Sequence, residues 1–266
     1  MKDISKIDYY AFDKPEISFS LFHPRPELRN SRPSPSSENI LIKVEEGIAI
    51  GARFYFAGRD APTILFFHGN GEIVADYEDI ASLYEKIGVN FFPVDYRGYG
   101  RSNGSPTITS MIRDSHIIFD YAKNWLMERR YYNALVVMGR SLGSACALEL
   151  SRAYKEQIAG LVIESGFAYT RPLMRLLGID MDAMGIREEE GFRNIDKIRA
   201  FDKPTLIIHA RNDHIISFTE GQALYDECPA KEKHLLFIPD ANHNDIFLRG
   251  IREYMKAIKD FIGKIS

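Results

Sequence analysis

Gly139-Arg140-Ser141-Leu142-Gly143 is the stretch of this chain best equipped for covalent chemistry. A serine hydroxyl attacks a carbonyl only when the backbone exposes it and a base stands beside it. The apolar run Val136-Val137-Met138 before the motif and the small residues Ser144 and Ala145 after it predict a sharp strand-to-helix turn with Ser141 at its tip. Gly139 and Gly143 fall where side chains would collide as strand and helix fold back on each other. The same turn aims helix N-terminal N–H groups, that of Leu142 first, at a carbonyl oxygen gaining negative charge.

The base and its orienting acid should also follow apolar runs directly, because a parallel sheet binds ligands beyond the carboxyl ends of its strands. Leu206-Ile207-Ile208-His209-Ala210-Arg211-Asn212-Asp213 puts Asp213 after one strand, and Leu235 to Ile238 followed by Pro239-Asp240-Ala241-Asn242-His243 puts His243 after the next. Glu164 and Asp240 compete with Asp213, whose alternative role is an Asx-type turn. His68, in Phe66-Phe67-His68-Gly69-Asn70-Gly71, is the rival base. Its segment suits a second task better: the N–H of Asn70, or alternatively of Gly71, completes an oxyanion hole with Leu142. Asp95, in Asp95-Tyr96-Arg97-Gly98-Tyr99-Gly100, reads as a pin for a glycine-rich loop. Arg140 either meets a substrate carboxylate or forms a salt bridge to Glu164 or Asp95.

The elements that must hold these residues recur in order. Strands are expected at Ile40 to Val44, Ile48 to Phe56, Thr63 to Phe67, Asn90 to Val94, Ala134 to Met138, Ile158 to Ile163, Thr205 to His209 and Leu235 to Ile238, the first two as a hairpin turning at Glu46-Gly47. Helices are expected from about Asp76 to Ile87, Ile108 to Met127, Leu142 to Tyr154, Phe218 to Tyr225 and Asp245 to Ile262. Eight short β-branched strands alternating with amphipathic helices specify an α/β fold, a mostly parallel sheet covered on both faces. The interval of about 167–200 has no strand pattern and is expected to form a short helical cap, with Phe167, Met174 and Leu177 at a substrate pocket. Residues 1–39 read as an N-terminal extension packed on the 40–266 domain through Tyr9, Phe12, Phe19 and Phe22. Pro24 to Ser37 within it reads as an extended connector.

Composition narrows the classes. A chain of 266 residues with 45% hydrophobic and 27% charged residues is ordinary globular material. A net charge of −3 gives no basic footprint for nucleic acid. The only cysteines, Cys146 and Cys228, supply neither a disulfide framework nor a thiolate cluster, which fits a reducing compartment, and acyl transfer through Ser141 requires no metal or organic cofactor. With no signal-like start and no apolar run of membrane-spanning length, a cytoplasmic protein is expected, a monomer or small homo-oligomer.

Taken together, His68-Gly69-Asn70-Gly71, Asp95 to Ser102, Gly139 to Ser144, Glu164-Ser165-Gly166-Phe167, Arg211-Asn212-Asp213 and Ala241 to Asp245 resemble the α/β-hydrolase superfamily. The likeness runs in order from about Ile40 to the C-terminus, and it is closest to the lipase-like and serine-aminopeptidase-like branch. The order Ser…Asp…His is the one that goes with this type of turn. The resemblance implies Ser141 as nucleophile, His243 as base, Asp213 as acid and the N–H groups of Asn70 and Leu142 as oxyanion donors. It implies hydrolysis of a small-molecule ester or acyl substrate, as in carboxylesterases and acyl-protein thioesterases. A peptidase or amidase would use the same residues, and a non-catalytic binding protein on this fold is the alternative from a different class.

Overall fold

The computed structural model describes residues 3–28 and 34–265. Eight strands form a mostly parallel sheet with helices on its faces, as the alternation predicted. The chain divides into two compact units, Met1–Val136 and Val137–Ser266.

In the first unit the strand order is β1-β2-β4-β3. The hairpin of β1 (Ser37–Glu45) and β2 (Ile48–Tyr55) is antiparallel and turns at Gly47, where φ of +74° suits a residue without Cβ. β2 continues antiparallel to β4 (Asn90–Val94), which runs parallel to β3 (Thr63–Phe67). Both β3 and β4 are buried along their whole length, which explains the apolar runs Ile64 to Phe67 and Phe91 to Val94 that follow Thr63 and Asn90. β1 instead alternates, with Ile40, Ile42 and Val44 inward. Its polar start at Ser37 pairs with Tyr55, so the strand begins before the apolar run that marks it in sequence.

The unit's helices are α1 (Pro15–Leu21), α2 (Glu78–Lys86, entered through a 3-10 turn at Val74–Tyr77) and α3 (Ile108–Glu128). The periodicity foretold α2 and α3 but not α1. Of the aromatic residues before Pro24, Phe12 and Phe22 are buried, whereas Tyr10 and Phe19 are more than 80% exposed. The extension is tied down by Tyr9 N–H to Thr109 Oγ1 (2.8 Å) and Thr109 N–H to Asp13 Oδ1 (3.1 Å). Pro33, one of the four prolines expected in an extended connector, lies outside the described residues.

β5 (Leu135–Arg140) leads into the second unit, where β6 (Gly160–Glu164), β7 (Thr205–Ala210) and β8 (Lys233–Ile238) run parallel. Its helices are α4 (Ser144–Ala153), α5 (Thr170–Leu176), α6 (Asn194–Arg199), α7 (Phe218–Glu227) and α8 (Ile246–Ile262). α8 packs on β7 and β8, whereas α4, α6 and α7 pack as a group. The strand-free interval between β6 and β7 therefore holds two kinds of structure. Its first part is α5 and a 3-10 turn at Glu188–Glu190, and its last part, α6, belongs to the layer built on α4 and α7. Among the described residues no helix is long and apolar enough to cross a membrane.

Candidate functional site

The turn after β5 has the geometry that its glycines predict. Ser141 has φ of +52°, a left-handed conformation costing a non-glycine residue about 1–3 kcal/mol. A Cβ on Gly139 would collide with the backbone of Gly143 and Ser144, so strand and helix approach here only because that position has no side chain. Ser141 begins a 3-10 turn through Gly143 that feeds α4, so Leu142 stands at the head of the helix, where N–H groups lack intrahelical acceptors.

Two loops of the same unit converge on Ser141. His243, on the loop after β8, places Nε2 3.0 Å from Ser141 Oγ, and its Nδ1–H donates to Asp213 Oδ2 at 2.7 Å. Because the carboxylate fixes the proton on Nδ1, Nε2 is left to accept from the serine hydroxyl. Asp213, on the loop after β7, accepts from Ile215 N–H (2.9 Å) and Ile216 N–H (2.8 Å) through its other oxygen, Oδ1. Burial pushes the Asp213 carboxyl up, but the His243 imidazole, the Ile216 N–H and His209 together hold it below its ordinary value. Asp213 therefore stays ionised beside the imidazole.

Glu164 and Arg140 have other work. Arg140 Nε donates to Glu164 Oε1 at 3.0 Å, and Tyr254 O–H donates to Glu164 Oε2 at 2.7 Å. Arg140 Nη2 reaches the backbone carbonyl of His243 at 2.7 Å. A buried guanidinium one residue before Ser141 thus braces the loop that carries the imidazole. Sequence anticipated the Arg140–Glu164 pair but not Tyr254 or the carbonyl contact.

His209 is fully buried, and burial holds its pKa below the ordinary histidine value against the Ile216 carbonyl and Asp213. Its Nε2–H donates to Ile216 O at 2.8 Å, while Nδ1 has no hydrogen-bond partner among the described residues. It is a satisfied structural ring on one nitrogen only.

In the first unit, the loop after β3 carries His68, Asn70 and Gly71. Asn70 Oδ1 accepts from His23 N–H (2.9 Å) and Tyr99 O–H (2.7 Å). Gly71, expected from sequence as the alternative oxyanion donor, has its N–H turned toward the Tyr99 oxygen. Asp95 pins the neighbouring loops as expected, its Oδ1 accepting from Val74 N–H at 2.9 Å and its Oδ2 from Arg101 N–H at 3.4 Å.

Phe167, one of the three residues expected at a substrate pocket, lines a cleft of about 380 Å³. Met174 is fully buried, and Leu177 is half-buried just beyond α5, outside the lining. The apolar lining comes from Pro172, Leu173, Leu176, Ile215 and Ile216 together with Phe167. Leu173 and Leu176, three apart on α5, share a helix face. The cleft thus begins on the segment whose N–H groups hold Asp213.

Residues 59–183 match the family model described as serine aminopeptidase, S33, a span that includes Ser141 and ends before Asp213 and His243. The chain is 30% identical over 230 residues to alpha/beta hydrolase domain-containing protein 17C of Xenopus tropicalis, covering 83% of this chain and 68% of that protein. It is 29% identical over 245 residues to the human alpha/beta hydrolase domain-containing protein 17B, covering 88% and 78% respectively. Among solved structures, an esterase of Pyrococcus furiosus superposes with a TM-score of 0.74 at 18% identity, covering 91% of this chain and 99% of that one. Est1E of Butyrivibrio proteoclasticus, solved with ferulic acid, superposes with a TM-score of 0.69 at 18% identity, covering 85% and 98%.

Proposed function

This chain belongs to the α/β-hydrolase superfamily, and from that premise we propose that it is a serine hydrolase cleaving carboxylic ester or thioester bonds of a small acyl substrate. The observation that carries this reading is the unbroken relay from Asp213 Oδ2 through His243 to Ser141 Oγ, at 2.7 and 3.0 Å.

In the first step Ser141 Oγ attacks the substrate carbonyl while its proton passes to His243 Nε2. The resulting oxyanion takes a hydrogen bond from the N–H group of Leu142, on the order of 3 kcal/mol in the transition state. His243 then hands the proton to the leaving alcohol or thiol, the carbon–oxygen or carbon–sulfur bond breaks, and the acyl group stays on Ser141. Water repeats the sequence: His243 takes its proton, the hydroxide adds to the acyl carbon, and Ser141 leaves as the alcohol. Asp213 keeps Nδ1 protonated throughout and stabilises the imidazolium that forms twice. The apolar cleft beside the Ile215-Ile216 segment favours a hydrophobic acyl or aromatic group.

Hydrolysis of p-nitrophenyl esters and acyl thioesters of graded chain length tests the reading. Ser141→Ala is expected to lower turnover by roughly a million-fold, and a fluorophosphonate should modify Ser141 in the wild-type chain. A variant that kept most of the wild-type rate would overturn the assignment, and an unlabelled serine would favour a binding protein.

A further inference from the structure

Asp213 can orient His243 only if its own carboxylate is kept from turning, and the bonds that hold it are local. Oδ1 accepts from the N–H groups of Ile215 and Ile216, two and three residues further along the same turn, which leaves Oδ2 for the imidazole. Such a turn swings as one piece unless something outside it fixes its backbone. Before Asp213, Arg211 N–H to Ile238 O (3.0 Å) and Asn212 N–H to Ala241 O (2.9 Å) tie the chain to the end of β8 and the loop beyond. After the turn, Ser217 caps α7, its carbonyl accepting from Glu220 N–H at 2.8 Å. Across 214–216, the one side chain from outside the turn that bonds its backbone, among the described residues, is His209, through Nε2–H to Ile216 O at 2.8 Å.

His209 stands on β7, four residues before Asp213, so the turn is referenced to a strand buried along its whole length. The contacts are those of a structural ring, yet each goes to the turn that carries the carboxylate. Two features make the ring a poor choice for stability alone. Its Nδ1 is buried without a hydrogen-bond partner among the described residues, a cost that an apolar side chain would avoid. Gly221, inside α7, is of a type that weakens helices, and a Cβ there would stand 2.4 Å from that same nitrogen. Places where a fold breaks such local rules are where function is served instead.

We propose that His209 is a positioning residue of the hydrolytic site, holding the turn through Ile216 so that Asp213 keeps Oδ2 aimed at His243 Nδ1. The ring touches no reacting atom. The proposal rests on the reading of Asp213 as the orienting acid in the function given above.

In the full-length protein, His209→Leu removes the donor and is expected to lower kcat for a p-nitrophenyl ester by about 10- to 100-fold, with KM within about twofold. His209→Gln keeps a donor for Ile216 O and should stay within about threefold of the wild-type rate. Rates are taken per folded molecule from urea titrations, and a double-mutant cycle separates positioning from mere support. Because His209 acts through the carboxylate, His209→Leu added to Asp213→Asn should cost less than about threefold more. Gly221→Ala reaches the ring from α7: it should lower kcat by about 3- to 10-fold although alanine is the better helix former. That variant carries the test if His209→Leu does not fold. A folded His209→Leu or Gly221→Ala protein at the wild-type kcat overturns the proposal. So does a His209→Gln protein as slow as His209→Leu, or an equal loss in the wild-type and Asp213→Asn backgrounds. Failure of the underlying reading looks different: the wild-type chain itself would show no esterase activity and no fluorophosphonate label on Ser141.

Discussion

His68 follows β3 with Asp95 after the neighbouring β4, and His243 follows β8 with Asp213 after the neighbouring β7. In sequence the two pairs carry the same signal, an apolar run ending in a loop with an imidazole or a carboxylate. In space they differ in what the second ring nitrogen meets. The His68 Nδ1–H donates to the adjacent Gly69 carbonyl at 2.8 Å, leaving Nε2 3.4 Å from Asp95 Oδ1 and without a hydrogen-bond partner among the described residues. Tyr96 stacks edge-on against the ring at 4.5 Å between centroids, and the site is sealed. His243 instead bonds its carboxylate directly and offers the opposite nitrogen to a hydroxyl. A histidine–aspartate pair at a strand end becomes a proton relay only when the carboxylate sets the tautomer and the far nitrogen is left for a third group.

Replacement of each imidazole gives the largest contrast. His243→Ala should lower kcat by roughly a million-fold with little change in melting temperature. His68→Ala empties a fully buried site and should cost about 2–4 kcal/mol of stability, with kcat per folded molecule within about tenfold of wild type. Stopped assays beside urea unfolding read both, and a severe loss of turnover in stable His68→Ala protein would break the distinction. The carboxylates come next. Asp213→Asn should cost about 10,000-fold in kcat, because an amide no longer enforces Nδ1–H, whereas Asp95→Asn should act mainly on stability. Equal kinetic losses in steady-state assays would erase the difference between the pairs.

The smallest effect concerns His209, the buried ring 3.5 Å from the same Asp213 oxygen that His243 uses. Burial holds its folded pKa below the unfolded value of about 6.5. The unfolded chain therefore takes up the proton first as pH falls. The stabilising contribution is complete above about pH 6.5 and declines below it, by at most about 1.4 kcal/mol per pH unit. His209→Gln retains a donor for Ile216 O and cannot titrate, so its urea midpoint should fall less between pH 7 and pH 5 than that of the wild type. Parallel slopes would mean that the ring is not held neutral.

Much of this was readable in the residues, and the exceptions share a cause. The bounds of β3 and β4 follow from apolar runs cut off by loop residues, and the strand-end positions of Ser141, Asp213 and His243 follow from the same punctuation. α1 escaped notice because its seven residues mix Ser18 and Ser20 with Phe19, an aromatic residue that faces solvent and blurs the period. Which face of α5 lines the cleft cannot be read from so short a helix, because seven residues do not reveal which face is inward. Tyr254 and His23 left no trace at all, since their partners Glu164 and Asn70 lie 90 and 47 residues away. Local pattern reports what a segment is, and long-range bonds report what it holds.

The Arg140 contact with the carbonyl of His243 has a mechanical consequence. Because the guanidinium belongs to the residue covalently joined to Ser141, any drift of the β5 tip drags the imidazole loop along with it. Ser141 Oγ and His243 Nε2 are yoked through a path separate from their own hydrogen bond, so their spacing can survive motions of the surrounding scaffold that would otherwise pull them apart.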